Sequence, residues 1–215
     1  GNFPTRLAVP ATNFTSAFPK TDYLGIKRIL DDNKVDYLSK TIIQSSDVKE
    51  NLENQGTTCN NSTTASTVAE DFYPSARLKP VRTAVCHFSK DLPEEDQITI
   101  EHCLDLIKFG MQSTPLAFVD KCHEHDGDRD PEETGLTIGG CESVWLADLS
   151  GAYILDNTKS HFRKTKCYGL HRDDGMAAFN NKLSHDDMLK WRTKFQNSAN
   201  RLAGGNHHNS PAACG

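Results

Sequence analysis

Two adjacent carboxylates, Asp173 and Asp174, stand between two short, mostly apolar runs in Tyr168-Gly169-Leu170-His171-Arg172-Asp173-Asp174-Gly175-Met176-Ala177-Ala178-Phe179. Asp-Gly between strand-like segments is a strong hairpin signal, because glycine tolerates the positive φ that tight turns need. Such a hairpin would lift both carboxylates to the tip of a ribbon whose sides are anchored in a core. Hard oxygen ligands on a rigid tip suit Mg²⁺, which takes a few carboxylates and completes its octahedron with water and substrate phosphates. An isolated Asp-Asp-Gly is more often a solvated turn. The surrounding elements decide its meaning.

Upstream, residues 1–22 read as extended, with Arg6-Leu7-Ala8-Val9 a short strand. A short helix is expected over Leu24 to Leu30, ending at Asp31-Asp32-Asn33, and a polar one over Ser46 to Glu53. Cys59 to Ser66 reads as a Thr/Ser/Asn loop feeding a strand over Thr67 to Phe72, which Pro74 ends. Pro80 sits in the first turn of a helix running to about Phe88. Pro93-Glu94-Glu95 opens the next, with Ile100, Cys103, Leu104, Ile107 and Met111 at helical spacing. Leu116 to Val119 and Cys122 to His125 read as paired short strands. The glycine-rich stretch Gly135 to Cys141 opens a helix with Trp145, Leu149, Ala152 and Tyr153 on one face. Ser184-His185-Asp186-Asp187 caps a last helix carrying Met188, Trp191, Phe195, Ala199 and Leu202. At this spacing Trp145, Tyr153, Trp191 and Phe195 read as core rather than as base-stacking platforms. Residues 204–215 have no periodicity and are expected to be disordered. The alternation gives an α+β fold, an antiparallel sheet with helices packed on one face.

Composition excludes more than it selects. The 215 residues carry a formal charge of −5, which gives no general argument for a nucleic-acid partner. A local one exists in Lys159, Arg163, Lys164, Lys166 and Arg172, with His161 and His171 among them. No apolar stretch approaches a membrane span, so no membrane partner is expected. Seven dispersed cysteines without a CxxC pair, and no leader-like segment, read as reduced thiols of an intracellular protein, nuclear or cytoplasmic and not secreted. The glycosylation-type triplets at Asn13, Asn60 and Asn61 then carry no meaning. Asp126-Gly127-Asp128-Arg129-Asp130 starts like a calcium loop, but Pro131 and Thr137 stand where its glycine and closing glutamate belong. The Cys-His neighbours Cys86-His87 and His102-Cys103 lack the spacing of structural zinc.

Three segments, in order, resemble the signature blocks of the reverse transcriptase family. Gly169-Leu170-His171-Arg172-Asp173-Asp174-Gly175 is similar to the x-Asp-Asp block of the palm. Gly135-Leu136-Thr137-Ile138-Gly139-Gly140 resembles the block that packs against the nascent base pair, and Ala69-Glu70-Asp71-Phe72-Tyr73-Pro74-Ser75 the block ending in an aromatic beneath the incoming sugar. The flavour is that of divergent eukaryotic retroelements, over roughly residues 6 to 202. The resemblance implies a partial fingers-like segment over 1–58, a palm-like domain over 59–203, RNA-directed DNA synthesis, and a template-primer and dNTP as partners. It implies two Mg²⁺ (or Mn²⁺) ions held by Asp173 and Asp174. It makes Tyr73 the sugar gate and places Asp71 and Phe72 at the triphosphate. Thr137, Ile138 and Gly139 fall behind the nucleotide, and Arg6 on its phosphates.

One departure bears on chemistry. The family's first metal aspartate lies five residues before the gate aromatic, and here that position is Val68. Valine cannot ligate a cation, and Glu70, one strand repeat along, is the nearest substitute. The expectation is therefore a reverse transcriptase-like polymerase domain with impaired catalysis, a pseudoenzyme by descent. The alternatives are a non-catalytic nucleic-acid-binding remnant of the same fold, and an unrelated Mg²⁺-dependent hydrolase using Asp173 and Asp174. The oligomeric state is open.

Overall fold

The computed structural model describes residues 23–37, 63–68, 76–112, 116–118, 121–123, 135–136, 142–171 and 173–203. Five α-helices and five strands are found among them: α1 (23–32), β1 (Thr63–Val68), α2 (Leu78–Ser89), α3 (Glu94–Gln112), β2 (Leu116–Phe118), β3 (Lys121–His123), α4 (Ser143–Thr158), β4 (Thr165–His171), β5 (Asp174–Phe179) and α5 (His185–Leu202). The fold is mixed α+β. The chain divides into two compact units, residues 1–35 with 73–146 and residues 36–72 with 147–215. The expected helix at 46–53, the strand at 6–9 and the tail at 204–215 lie outside the described residues.

The first unit is helical. Ile26 and Leu30 of α1, Val81 and Val85 of α2, and Ile100, Leu104 and Ile107 of α3 are buried. On α3 these three keep the spacing of one helix face, so the sequence periodicity held. Gly25 marks a close crossing: a Cβ there would come 3.0 Å from Cys103 Sγ. α1 ends with Lys34 in the left-handed region at φ 55°. The Val35 amide then reaches back to the Leu30 carbonyl at 2.9 Å, satisfying a terminal acceptor. Pro93 supplies the carbonyl that starts α3, accepting from the Asp96 and Gln97 amides. β2 and β3 pair antiparallel, Leu116 opposite His123, as the short strands at 116–119 and 122–125 predict.

The second unit is a three-stranded antiparallel sheet in the order β1-β5-β4 with α5 against one face. Its buried centre is Leu155, Phe162, Ala177 and Phe179, with Tyr168, Trp191 and Phe195 half-buried around it. Phe162 stacks on Tyr168 with centroids 4.0 Å apart and meets Phe195 edge-on at 5.3 Å. Trp191 and Phe195 are core residues, as their spacing predicts. α5 begins where Ser184 accepts the Asp187 amide at 3.1 Å, confirming the cap. Gly151 of α4 lies against β4, where a Cβ would be 3.1 Å from Leu170 Cδ1.

Two expectations are corrected. Of the strand expected over 67–72, residues 67 and 68 are strand, the end of β1 (Thr63–Val68), and 69–72 lie outside the described residues; residues 63–66, read as loop, are the first two-thirds of β1. Serine and threonine favour turns through side-chain hydrogen bonds. Here threonine acts as a β-branched strand former, and the small side chains of β1 suit the Ala177 and Ala178 partners on β5. The second correction concerns Gly175, which is not in the turn. The strands are joined through residues 172 and 173, and Gly175 is the second residue of β5. Glycine is needed there for space: a Cβ would come 2.4 Å from Thr67 Oγ1 and 3.1 Å from Leu170 Cδ2. Gly175→Ala is therefore expected to destabilise this unit by about 2 kcal/mol through overpacking. Thr67→Ala in the same chain should recover most of that loss, measured by urea unfolding as a double-mutant cycle.

The 3₁₀ turn Lys159–Phe162 is tied to α5 twice, by Trp191 Nε1 donating to the His161 carbonyl at 2.9 Å and by His161 Nε2 with Ser198 Oγ at 3.2 Å. Burial, with the Lys194 ammonium adding to it, holds His161 below the ordinary imidazole value. The unfolded chain thus takes up this proton first as pH falls. The neutral ring contributes fully above about pH 6.5, and that contribution is lost as pH drops below it. The urea midpoint should fall as pH drops below about 6.5, and His161→Gln should flatten part of that slope.

Candidate functional site

Asp174 opens β5 and is paired on both sides. In the register, Val68 of β1 and His171 of β4 are its two cross-strand partners. Directly opposed residues in antiparallel strands share a face, with Cβ atoms about 4.5–5.5 Å apart. Val68, Asp174 and His171 therefore form one row across the end of the sheet. Asp173 precedes it in the connection and is exposed, as is Asp174.

The phase of this row comes from packing. On β1, Thr64, Ser66 and Val68 are exposed while Thr63, Ala65 and Thr67 turn inward. Val68 is 66% exposed, so nothing in the core holds a valine there. On β4 the register slips between Thr165 and Cys167, leaving Lys166 as the extra residue of a β-bulge. Beyond the bulge, Tyr168 and Leu170 sit opposite the inward-facing Ala177 and Gly175, which sends His171 to the outer face beside Asp174.

The expectation that the strand carrying residue 68 lies beside the hairpin holds, with residue 68 in direct register. Arg6, Glu70, Asp71, Phe72, Tyr73, Thr137, Ile138 and Gly139 lie outside the described residues. Of the site residues inferred from sequence, Asp173 and Asp174 are the two the structure describes. His171 was not singled out as a site residue. Its signal is the two-residue connection, which pairs residues three apart, whereas a turn centred on Gly175 hides it.

The described donors do not fit a two-cation centre. Asp174 is paired with an isopropyl group where a bridging carboxylate would neutralise the charge of paired ions. No group of three or more His, Cys, Asp or Glu among the described residues is arranged to hold a metal ion. The basic run is also dispersed. Lys159 pairs with Asp156 at 3.4 Å, Lys166 occupies the bulge, and His171 lies at the far end of β4. Among the described residues, no helix is long and apolar enough to cross a membrane.

No family model, no curated protein and no solved structure matches this chain.

Proposed function

We infer that the chain is a palm of reverse transcriptase descent, of the divergent eukaryotic retroelement type, with an impaired polymerase centre. The observation carrying this reading is the register of Val68 with Asp174. Position 68 is set by its spacing of five residues before Tyr73, independently of the hairpin. Its place directly opposite Asp174 supports common descent from such a site. The reading makes the row of Val68, Asp174 and the half-buried His171 the remnant of a nucleotidyl-transfer centre. Its partners by descent are a template-primer and a dNTP. Val68 also favours the second reading, a nucleic-acid-binding remnant that does no synthesis. The hydrolase reading gains His171 beside Asp174 but has no third donor among the described residues.

Manganese binding followed by electron paramagnetic resonance tests the descent. Val68→Asp places a second carboxylate in the row, opposite Asp174, so affinity should rise by about tenfold or more over the parent chain. Adding Asp174→Asn should cancel the gain. An unchanged affinity in Val68→Asp would mean that residues 68 and 174 were never parts of one ion site.

A further inference from the structure

Among the described residues, the sheet of the second unit has two edges, β1 and β4, and they are protected unequally. β4 carries a bulge at Lys166, and its lysine and distortion are both devices that keep a further strand from adding. β1 has neither. Thr63-Thr64-Ala65-Ser66-Thr67-Val68 contains no charge, proline or glycine, and it runs in unbroken register with β5 over all six residues. Among the described residues no strand lies on its far side. A regular, uncharged, β-branched edge is a template for strand addition.

The same strand is complementary to itself. In a two-fold antiparallel pair, inward residues must meet inward residues, so the axis must pass through a residue rather than between two. Centred on Ala65, the pairing sets Ala65 against its own copy, Thr63 against Thr67 of the partner subunit, and Thr64 against Ser66 of the partner subunit. Thr–Thr and Thr–Ser pairs are favourable across strands. Thr64 and Ser66 are exposed in the single chain and free of core packing duties. Neutrality matters most for self-pairing, because charges of one sign along this strand would face their own copies across the axis. A different partner would not require it.

We propose that β1 is a homodimerisation edge, at which a second copy of this chain adds its own β1 antiparallel. Two three-stranded sheets thereby become one continuous sheet across a two-fold axis. The contact is confined to one short edge, well below the roughly 800 Å² per partner of a standard interface. The dimer is accordingly weak and concentration-dependent.

Sedimentation equilibrium on the full chain from about 10 μM to about 1 mM should show a monomer–dimer equilibrium. Amide hydrogen exchange over residues 63–68 should slow as concentration rises. Thr64→Lys with Ser66→Lys, and separately Thr64→Glu with Ser66→Glu, place like charges opposite each other at exposed positions. Each doubly substituted chain, its fold checked by circular dichroism, should associate about tenfold more weakly than the parent. An equimolar mixture of the two should restore association by pairing lysine with glutamate. A parent that stays monomeric throughout, association that grows beyond dimers, protection that appears elsewhere, or a mixture that fails to recover would each overturn the proposal.

Discussion

Given a primer-template, dNTPs and Mg²⁺ or Mn²⁺, the chain is expected to extend primers at background level. Val68 occupies the register position beside Asp174, and the proposed polymerase reading requires a carboxylate there. Losing that group removes charge compensation and the positioning of the attacking oxygen together. A deficit of about 4–6 kcal/mol corresponds to roughly three to four powers of ten in rate. Binding of the same primer-template separates the two readings that share this outcome. Salt-dependent binding without extension is the behaviour of a nucleic-acid-binding remnant, because phosphate contacts need no metal carboxylate. Robust extension by the unmodified chain, abolished by Asp173→Asn, would overturn impairment and direct attention to Glu70 as the replacement ligand.

Phe162→Ala is expected to cost the second unit about 3–5 kcal/mol, the range for deleting a buried aromatic ring. Phe162 is 6% exposed and stands where the 3₁₀ turn, β4 and α5 meet. Its ring stacks on Tyr168 and meets Trp191 edge-on at 5.9 Å and Phe195 at 5.3 Å. α5 contains no buried residue, so these half-buried ring contacts are its main attachment to the sheet. Removing the ring should therefore loosen the helix as well as open a cavity. Urea unfolding followed by tryptophan fluorescence reports both, since Trp191 donates to the His161 carbonyl on that same turn. Leu189→Ala, on an exposed position of α5, should stay within about 0.5 kcal/mol. A comparable small loss for Phe162→Ala would show that the aromatic cluster does not hold the helix.

The helices were legible because their signals are local. Ile100, Leu104 and Ile107 keep one face, Pro93 and Ser184 mark starts, and each of these is read within a turn or two. The hairpin was legible as an element but its turn was displaced. Gly175 looks like turn chemistry, and the reason for the glycine lies a strand away in Thr67, invisible to any local rule. β1 was misplaced for a related reason. Its threonines and serine have the composition of a loop, and only pairing with Ala177 and Ala178 makes them a strand. Within the candidate site, the adjacency of residues 68 and 174 followed from motif spacing. The place of His171 did not, because it depends on a two-residue connection that a turn centred on Gly175 hides.

Selection for folding and selection for chemistry act on different residues of this hairpin. Gly175 is required by steric fit with Thr67, whatever the sheet is used for, so its persistence says nothing about activity. Position 68 is the converse: its side chain is exposed and has no packing role, so exchange of valine for aspartate there leaves the core intact and costs chiefly the like-charge opposition to Asp174. Asp173 and Asp174 are equally exposed and equally dispensable to packing. Mutational drift under folding constraint alone would erase them as readily as any other exposed side chain. Folding by itself therefore gives no reason for a carboxylate pair at this end of the sheet.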